Sequence, residues 1–553
     1  MIELTLILAL AATATPQDIV ATQEITPNTA GFNAVVPPSS SFGSSVAPLG
    51  DLDGDGVGDI AVGGDFNVLG GPQPPGEEGG VWILFLNSDG TVKDWQKIDG
   101  SNGGLVGTPA QTDRFGKSVC LIGDVDGDGV KDIAVGEQLY GLNKEGAVWI
   151  LFLNSDGTVK DEQFIAEGYG GLQGQLGAWD EFGMCLTGPG DVDGDGIADL
   201  AVGAAGYIYS QKVYVLLLNA DGTVKGQSII EPGVGGFVAD PLVSEKFGRS
   251  LASLGDLSGD GTLEIAVGAL GKIWILSLDS AGFVVAQVEL SETSGGVAPG
   301  NLGPLIGFPT PLSFGKHIGA LGDMDQNGTI DLLMNPGVSN VVAIPDMAWV
   351  LYLNPDGTVA DQSEFICDDG QSMAGIGDIN GDGYLDAVAG SPYYGGHVGS
   401  VNIYMLRPAL AAWSEPYEGC AMNTSGSLVA AGQPAIGEAM DLLVDNPFGS
   451  QDPGAFPLLA ISASSSAPCS QVVQGWNMDP GQGMGELLLQ LPVAVKILGT
   501  PWGGPGIPGV VTVNIPNNPA LMGETFSAQA FLLDLTGPKP IAASSGLLLH
   551  IGN

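Results

Sequence analysis

The sequence predicts an all-β protein, a six-bladed β-propeller closed by its N-terminal strand and followed by a C-terminal β-sandwich. Three observations carry that prediction. A nine-residue acidic loop occurs six times. The starts of successive loops lie 73, 67, 65, 67 and 55 residues apart. Each period holds several short apolar runs and no helical pattern, which suits one four-stranded propeller blade per repeat. An open β-solenoid is the weaker alternative, because solenoid periods usually run about 20–45 residues.

The loops come first in the argument because they carry chemistry. The first three read Asp51-Leu-Asp53-Gly-Asp55-Gly-Val-Gly-Asp59, Asp124-Val-Asp126-Gly-Asp128-Gly-Val-Lys-Asp132 and Asp191-Val-Asp193-Gly-Asp195-Gly-Ile-Ala-Asp199. Looser copies place Asp256, Ser258, Asp260 and Glu264 in the fourth, Asp323, Asp325, Asn327 and Asp331 in the fifth, and Asp378, Asn380, Asp382 and Asp386 in the sixth. Oxygen side chains at positions 1, 3, 5 and 9, a glycine at 6 for the sharp turn and a carbonyl at 7 are what a hard cation such as calcium requires. Up to six calcium ions are expected. The fourth loop (Ser258, Glu264) and the fifth (Gln326-Asn327 for Gly-Asp) are expected to be the weakest sites.

The strands follow in order. A Phe-Gly pair stands nine residues before each of the first five loops, at Phe42, Phe115, Phe182, Phe247 and Phe314, and Asp369-Gly370 takes that place before the sixth. Each pair opens a strand of small residues suited to the crowded centre of a ring. After the loop come a second strand such as Ile60–Gly63, a variable loop, and an aromatic-rich third strand such as Val81–Leu86 or Val148–Leu153. Asn-Ser-Asp-Gly turns at Asn87 and Asn154 and their relatives then signal a hairpin into an outer strand. The sixth repeat stops after Ser400–Leu406. Asp18–Thr26 precedes the first Phe-Gly pair as Val92–Ile98 precedes the second, so it is expected to complete the last blade and protect the open seam.

These repeats resemble the FG-GAP repeats of the integrin α-subunit head and of many secreted bacterial proteins. The matching residues are the Phe-Gly pairs, the acidic loops and the Ile-Ala-Val-Gly strands, over residues 18–406. The resemblance implies a propeller with calcium at each loop, on the outward-facing rim of the blade. Integrin heads usually have seven blades, whereas six are counted here.

Composition narrows the partners. The chain has 62 acidic and 16 basic residues, a formal charge of −46, and six calcium ions would leave −34. Such a surface disfavours nucleic acid and anionic membranes. Without metal, repulsion among the loop carboxylates opposes folding. Residues 1–15 are expected to be a secretory signal peptide, with Ala12-Thr13-Ala14 as the cleavage pattern, although the segment carries Glu3 and no basic residue. No other stretch is long and apolar enough to span a membrane.

Residues 16–408 are expected to form the propeller and 409–553 the sandwich, in which short apolar runs such as Leu458–Ser462 and Gly509–Ile515 alternate with Pro/Gly turns. Arg407–Pro416 reads as a linker. Cys420 and Cys469 are expected to form a disulfide, while Cys120, Cys185 and Cys367 read as buried thiols. Of three histidines, His317 aligns with Ser45, Ser118, Cys185, Ser250 and Ser372 and is expected to face the central channel. No nucleophile elbow, His-rich metal cluster or phosphate loop is visible.

The reading is a secreted or cell-surface, non-catalytic, calcium-binding protein for adhesion or for an extracellular protein or polysaccharide ligand. The long loops Asp65–Gly79, Gln138–Glu145 and Asn335–Met347 are expected to carry recognition. A polysaccharide-acting enzyme and a self-associating surface-layer component stay open as alternatives.

Overall fold

Each repeat folds into one antiparallel four-stranded sheet, with its strands in chain order from the centre outward. In the first blade Phe42–Gly50 pairs with Asp59–Gly64, which pairs with Gly80–Leu86, which pairs with Val92–Ile98. The computed structural model describes residues 15–407 apart from 17, 38, 66–78, 111, 207–210, 240–245, 292–293, 298–313, 336–346, 368–369 and 394–397. Beyond residue 407 it describes the strands alone. Two compact units result, Gln17–Arg407 and one built mainly on Pro408–Asn553.

The first unit is a six-bladed propeller. Its last blade is completed as the sequence predicts: Asp18–Ile25 pairs antiparallel with Ser400–Arg407, from Asp18 opposite Arg407 to Ile25 opposite Val401. Apolar side chains fill the spaces between neighbouring blades. One cluster joins Phe42, Val62 and Trp82 of the first blade to Ile376, Val388 and Ile403 of the sixth. Another joins Ile83 and Phe85 to Val119, Trp149 and Leu151 of the second. In the first three blades the Phe of the pair meets the aromatic residue of its own third strand edge-on, at 5.4 Å between ring centroids for Phe42–Trp82, 6.2 Å for Phe115–Trp149 and 5.2 Å for Phe182–Tyr214.

The glycine of the Phe-Gly pair has a steric reason. Gly116 adopts φ +85°, and a Cβ there would lie 2.4 Å from the Gly80 carbonyl oxygen of the preceding blade. Facing it, a Cβ on Gly63 would lie 2.2 Å from the Gly116 oxygen. The glycine that ends the Ile-Ala-Val-Gly run of one blade's second strand and the Phe-Gly glycine of the next are therefore back to back, and neither admits a side chain. The same Gly116 oxygen accepts a hydrogen bond from Ser45 Oγ (3.3 Å). Ser118, Cys185, Ser250 and Ser372 donate likewise to Gly183, Gly248, Gly315 and Gly43. Five of the six seams share this bond.

The seam between the fifth and sixth blades is rebuilt. His317 replaces the serine, Asn335 replaces the second-strand glycine, and Asp369-Gly370 replaces Phe-Gly. Asn335 Nδ2 donates to Cys367 Sγ at 3.2 Å and would lie 3.2 Å from a Cβ on Gly370. The three departures occupy one contact, so they compensate one another. His317 lines the central channel, as the sequence predicts.

The C-terminal unit is also all-β. Trp413–Tyr417, Ile541–His550, Thr525–Leu533, Phe456–Ser462 and Val495–Leu498 form a five-stranded antiparallel sheet, and Leu428–Ala431, Ala439–Val444 and Gly509–Asn514 a three-stranded one. A third, two-stranded sheet pairs Val472–Gln474 with Met484–Glu486. One expectation fails: Trp413–Tyr417, within the segment read as a linker, is an edge strand paired with residues 546–550. The expected signal peptide falls almost wholly outside the described residues, and Cys420 and Cys469 lie outside them. Among the described residues no helix is long and apolar enough to cross a membrane.

Removing Asp18–Ile25 should expose the edge of Ser400–Arg407 and open the ring. Size-exclusion chromatography of that truncation is expected to show aggregation, with a lowered melting temperature in whatever monomer remains.

Candidate metal centres

Each acidic loop connects the first strand of its blade to the second. All six therefore stand at one end of the central channel, opposite the Phe-Gly pairs. This differs from the outer-rim placement that the resemblance implied, because the loop is tied to the two innermost strands.

The loops share one conformation. Position 1 gathers the turn: Asp51 Oδ2 accepts from Gly56 N at 2.8 Å and Oδ1 from Asp55 N at 2.9 Å. The same pair of bonds recurs at Asp124, Asp191, Asp256, Asp323 and Asp378. The position-6 glycine has φ between +90° and +92° in every loop.

Position 9 anchors the loop to the sheet. Asp59 is 1 % exposed, and its two oxygens accept from Leu52 N (2.9 Å) and from Leu86 N at the end of the third strand (3.0 Å). Asp132, Asp199, Asp331 and Asp386 do the same. In the fourth blade Glu264 keeps the bond to Leu257 N, at 2.7 Å. Burial pushes Asp59, Asp132, Asp199 and Asp386 up to about 6 and Asp331 to about 7, against the pull of those N–H donors.

Positions 1, 3 and 9 bring carboxylate oxygens within 4.8 Å of one another in the first, second, third and fifth loops, namely Asp51/Asp53/Asp59, Asp124/Asp126/Asp132, Asp191/Asp193/Asp199 and Asp323/Asp325/Asp331. In the fourth and sixth loops position 3 is Ser258 or Asn380, each offering a neutral oxygen. An all-oxygen, anionic donor set fits a hard divalent cation.

Sequence reasoning missed the lysines. Lys93 bridges Asp53 (2.8 Å) and Asp55, Lys160 bridges Asp126 (2.8 Å) and Asp128, and Lys225 bridges Asp193 (2.8 Å) and Asp195. The hydrogen bond from Lys93 holds the Asp55 carboxyl below the ordinary range, and Lys160 and Lys225 act likewise on Asp128 and Asp195. Each lysine occupies a β-bulge just after the hairpin, where the register slips by one residue and turns the side chain over the loop. The equivalent bulge residues in the other blades are Val285, Ala360 and Val20. Loops with four carboxylates carry a lysine, and loops with three do not, so the excess of ligand carboxylates over clamp lysine is three throughout. The signal was present in the sequence as a repeated Thr-Val-Lys after three of the hairpin turns.

These sites now bear on relationship. Models of the FG-GAP repeat match residues 115–151 and 370–404, and a model of the FG-GAP-like repeat matches 191–267. The chain carries FG-GAP repeats. It is similar to integrin alpha pat-2 of Caenorhabditis elegans, 33 % identical over 195 residues covering 34 % of this chain and 15 % of that protein. It is also similar to integrin alpha-3 of Cricetulus griseus, 36 % identical over 165 residues covering 30 % and 14 %, and to integrin alpha-PS5 of Drosophila melanogaster, 35 % identical over 192 residues covering 34 % and 17 %. The chain thus spans about a sixth of the length of these curated relatives.

Within the FG-GAP loops the fifth is the most altered. Gln326 holds the left-handed conformation (φ +60°) that glycine holds at the same position in the other five. Asn327 Nδ2 donates to the Leu353 carbonyl at 2.9 Å and to Asp325 at 3.2 Å, which turns part of position 5 into a donor.

Two expectations follow from this geometry. Gln326→Gly should stabilise the protein by about 1 kcal/mol by relieving the left-handed residue, read as a shift in denaturant midpoint. The second concerns pH. In chelator the folded protein binds more protons at position 9 than the unfolded chain between about pH 4 and the folded values near 6 to 7, so its stability falls as pH rises through that window. Melting temperatures in chelator should be higher at pH 5 than at pH 8, and excess divalent metal should restore the loss at pH 8.

Proposed function

We propose that this protein is an extracellular, calcium-loaded β-propeller that binds a protein or glycan ligand without catalysis, acting in adhesion or capture. The observation that carries the reading is the persistence of one loop geometry through all six blades, even where Ser258, Asn327 and Asn380 replace carboxylates. Calcium is the cation of choice because six or more oxygens at irregular spacing suit its flexible coordination better than magnesium's octahedron. Its supply outside cells also lets weak sites fill. In each site positions 1, 3, 5 and 9 would hold the ion, which would tie the loop to the first and second strands. In the first three blades it would compete with the lysine clamp. The sandwich region 409–553 would serve as an accessory domain.

Recognition is assigned to the end of the ring away from the loops. There the loop Gln138–Glu145 exposes Leu142 fully, and Trp179, 52 % exposed, is tied to it by a bond from its backbone N–H to the Asn143 carbonyl (2.9 Å). Trp179 has φ +65° and Lys144 φ +64°, conformations rarely adopted by bulky residues. An exposed tryptophan beside an exposed leucine on a rigid ring is the kind of anchor that dominates binding energy. The loops 66–78 and 336–346, also expected to contribute, lie outside the described residues.

Retention on immobilised extracellular polysaccharides and glycoproteins, in calcium and in chelator, tests the reading. Calcium-dependent retention that Trp179→Ala weakens at least tenfold is expected, while release of soluble sugar would make the protein an enzyme instead. Calorimetric titration tests the metal. Asp55→Ala should remove one calcium site with the fold intact. The triple change Lys93→Ala, Lys160→Ala, Lys225→Ala should tighten three sites by about tenfold, because each loses a cation at contact distance. Fewer than three calcium ions per chain after dialysis against millimolar calcium would refute the assignment.

A further inference from the structure

The first three acidic loops already hold a cation of the chain's own. In the first loop backbone N–H groups reach both oxygens of Asp51 and both of Asp59. Asp53 Oδ1 accepts from Asp55 N at 3.3 Å, and Asp55 Oδ1 from Val57 N at 2.9 Å. The remaining oxygens, Asp53 Oδ2 and Asp55 Oδ2, are both taken by Lys93 Nζ, at 2.8 Å from the first. The second loop repeats the arrangement, with Lys160 on Asp126 Oδ2 and Asp128 Oδ2. In the third, Lys225 sits on Asp193 Oδ2 and Asp195 Oδ2, and the buried Asp193 Oδ1 meets no hydrogen-bond partner.

The two oxygens under each lysine belong to positions 3 and 5, which a calcium ion in the loop needs. An ammonium and a divalent cation on the same pair of oxygens repel at contact distance, so they exclude each other. The lysine has a way out. It enters from the β-bulge of the outer strand, and its side chain is about a quarter exposed, 24 % for Lys93 and 23 % for Lys160 and Lys225. Val285 and Val20, at the same bulge in the fourth and sixth blades, are 60 % and 48 % exposed, so a side chain at this position can face solvent. The lysine stem is flexible and its ammonium strongly hydrated, which suits it to move between the two settings.

We propose that Lys93, Lys160 and Lys225 are resident counter-ions that leave their loops when a divalent cation enters, turning the metal state of the first three blades into the exposure of three lysine amines. This switch rests on the calcium reading above. Without metal each lysine ties its loop to the outer strand and offsets the repulsion between positions 3 and 5. The first three blades are thereby held in shape before any cation arrives. With metal the ammonium swings to solvent, as the valines already do at the same position. Three neighbouring blades then present one free amine each at the loop end of the ring. The fourth, fifth and sixth blades carry Val285, Ala360 and Val20 at the bulge and do not switch.

Acetylation of the full chain with an amine-reactive ester, read residue by residue by mass spectrometry in millimolar calcium and in chelator, is the test. Lys93, Lys160 and Lys225 are expected to react about fivefold faster in calcium, because contact with two carboxylates is lost. Lys97, on the same outer strand as Lys93 and bonded to Asp99 at 2.7 Å, should react equally in both, as should Lys144 at the other end of the ring. Atomic emission counts the bound metal in the same samples. Calcium bound with all three lysines as slow as in chelator would overturn the switch and leave the calcium reading standing. No bound calcium would overturn that reading, and the switch with it. Two variants probe the counter-ion role, with far-UV circular dichroism to confirm that each is folded. Lys160→Ala should raise amide exchange in Ala147–Leu153 about fivefold in chelator, with calcium restoring protection. Unchanged exchange in chelator would overturn the counter-ion role. Ala360→Lys with Asn327→Asp copies the clamp into the fifth blade. The introduced amine should show the same calcium-dependent reactivity, and equal reactivity with and without calcium would overturn the bulge position as the switch.

Discussion

The contact on which the ring depends is the back-to-back approach of two glycines between neighbouring blades. Gly63 and Gly116 show it plainly: each would drive a Cβ into the backbone of the other's blade. That closeness lets Ser45 reach the Gly116 carbonyl, and the repeat of this bond around the ring sets how tightly the first strands crowd the axis. A narrow axis makes a narrow channel, and the channel is what gathers Lys117, Arg249 and Lys316 from three separate blades. The rebuilt seam at His317, Asn335 and Gly370 shows how strict the constraint is. Once a side chain enters on one side, the partner positions change with it.

A second constraint holds each acidic loop to its blade. The buried position-9 carboxylate spends both oxygens on backbone N–H groups, one from the loop and one from the end of the third strand. It therefore caps the sheet as well as facing the cation site. This dual role accounts for Glu264 being tolerated in the fourth loop. The longer side chain keeps the loop bond and loses only the reach to the third strand. It also means that the loop and the sheet are held together through one residue.

Charge is distributed with a pattern that total composition hides. A net −46 suggests a uniformly acidic body. In the folded ring all six acidic loops stand at one end, with lysine clamps where four carboxylates meet, and Lys117, Arg249, Lys316 and His317 are among the residues lining the channel. The two ends of the propeller thus differ: one gathers the acidic loops, and the other carries the exposed Leu142 and Trp179.

The sequence by itself determined the blade count, the closure by Asp18–Ile25, the strand order and the positions of all six loops. Each of these is local or periodic. A nine-residue loop needs only its own residues to make its turn, and alternation within a strand is read along the chain. What only the tertiary structure decided involves residues far apart in sequence. Lys93 meets Asp53 and Asp55 because a bulge in the outer strand turns it inward across the blade, and no spacing rule links residue 93 to residue 55. Lys117, Arg249 and Lys316, which line the channel, are about 65 to 200 positions apart, and only ring closure brings them together. The strand Trp413–Tyr417 was missed for the same reason: its Pro-containing sequence looks like a linker, and it becomes a strand only because residues 546–550 present an edge to it.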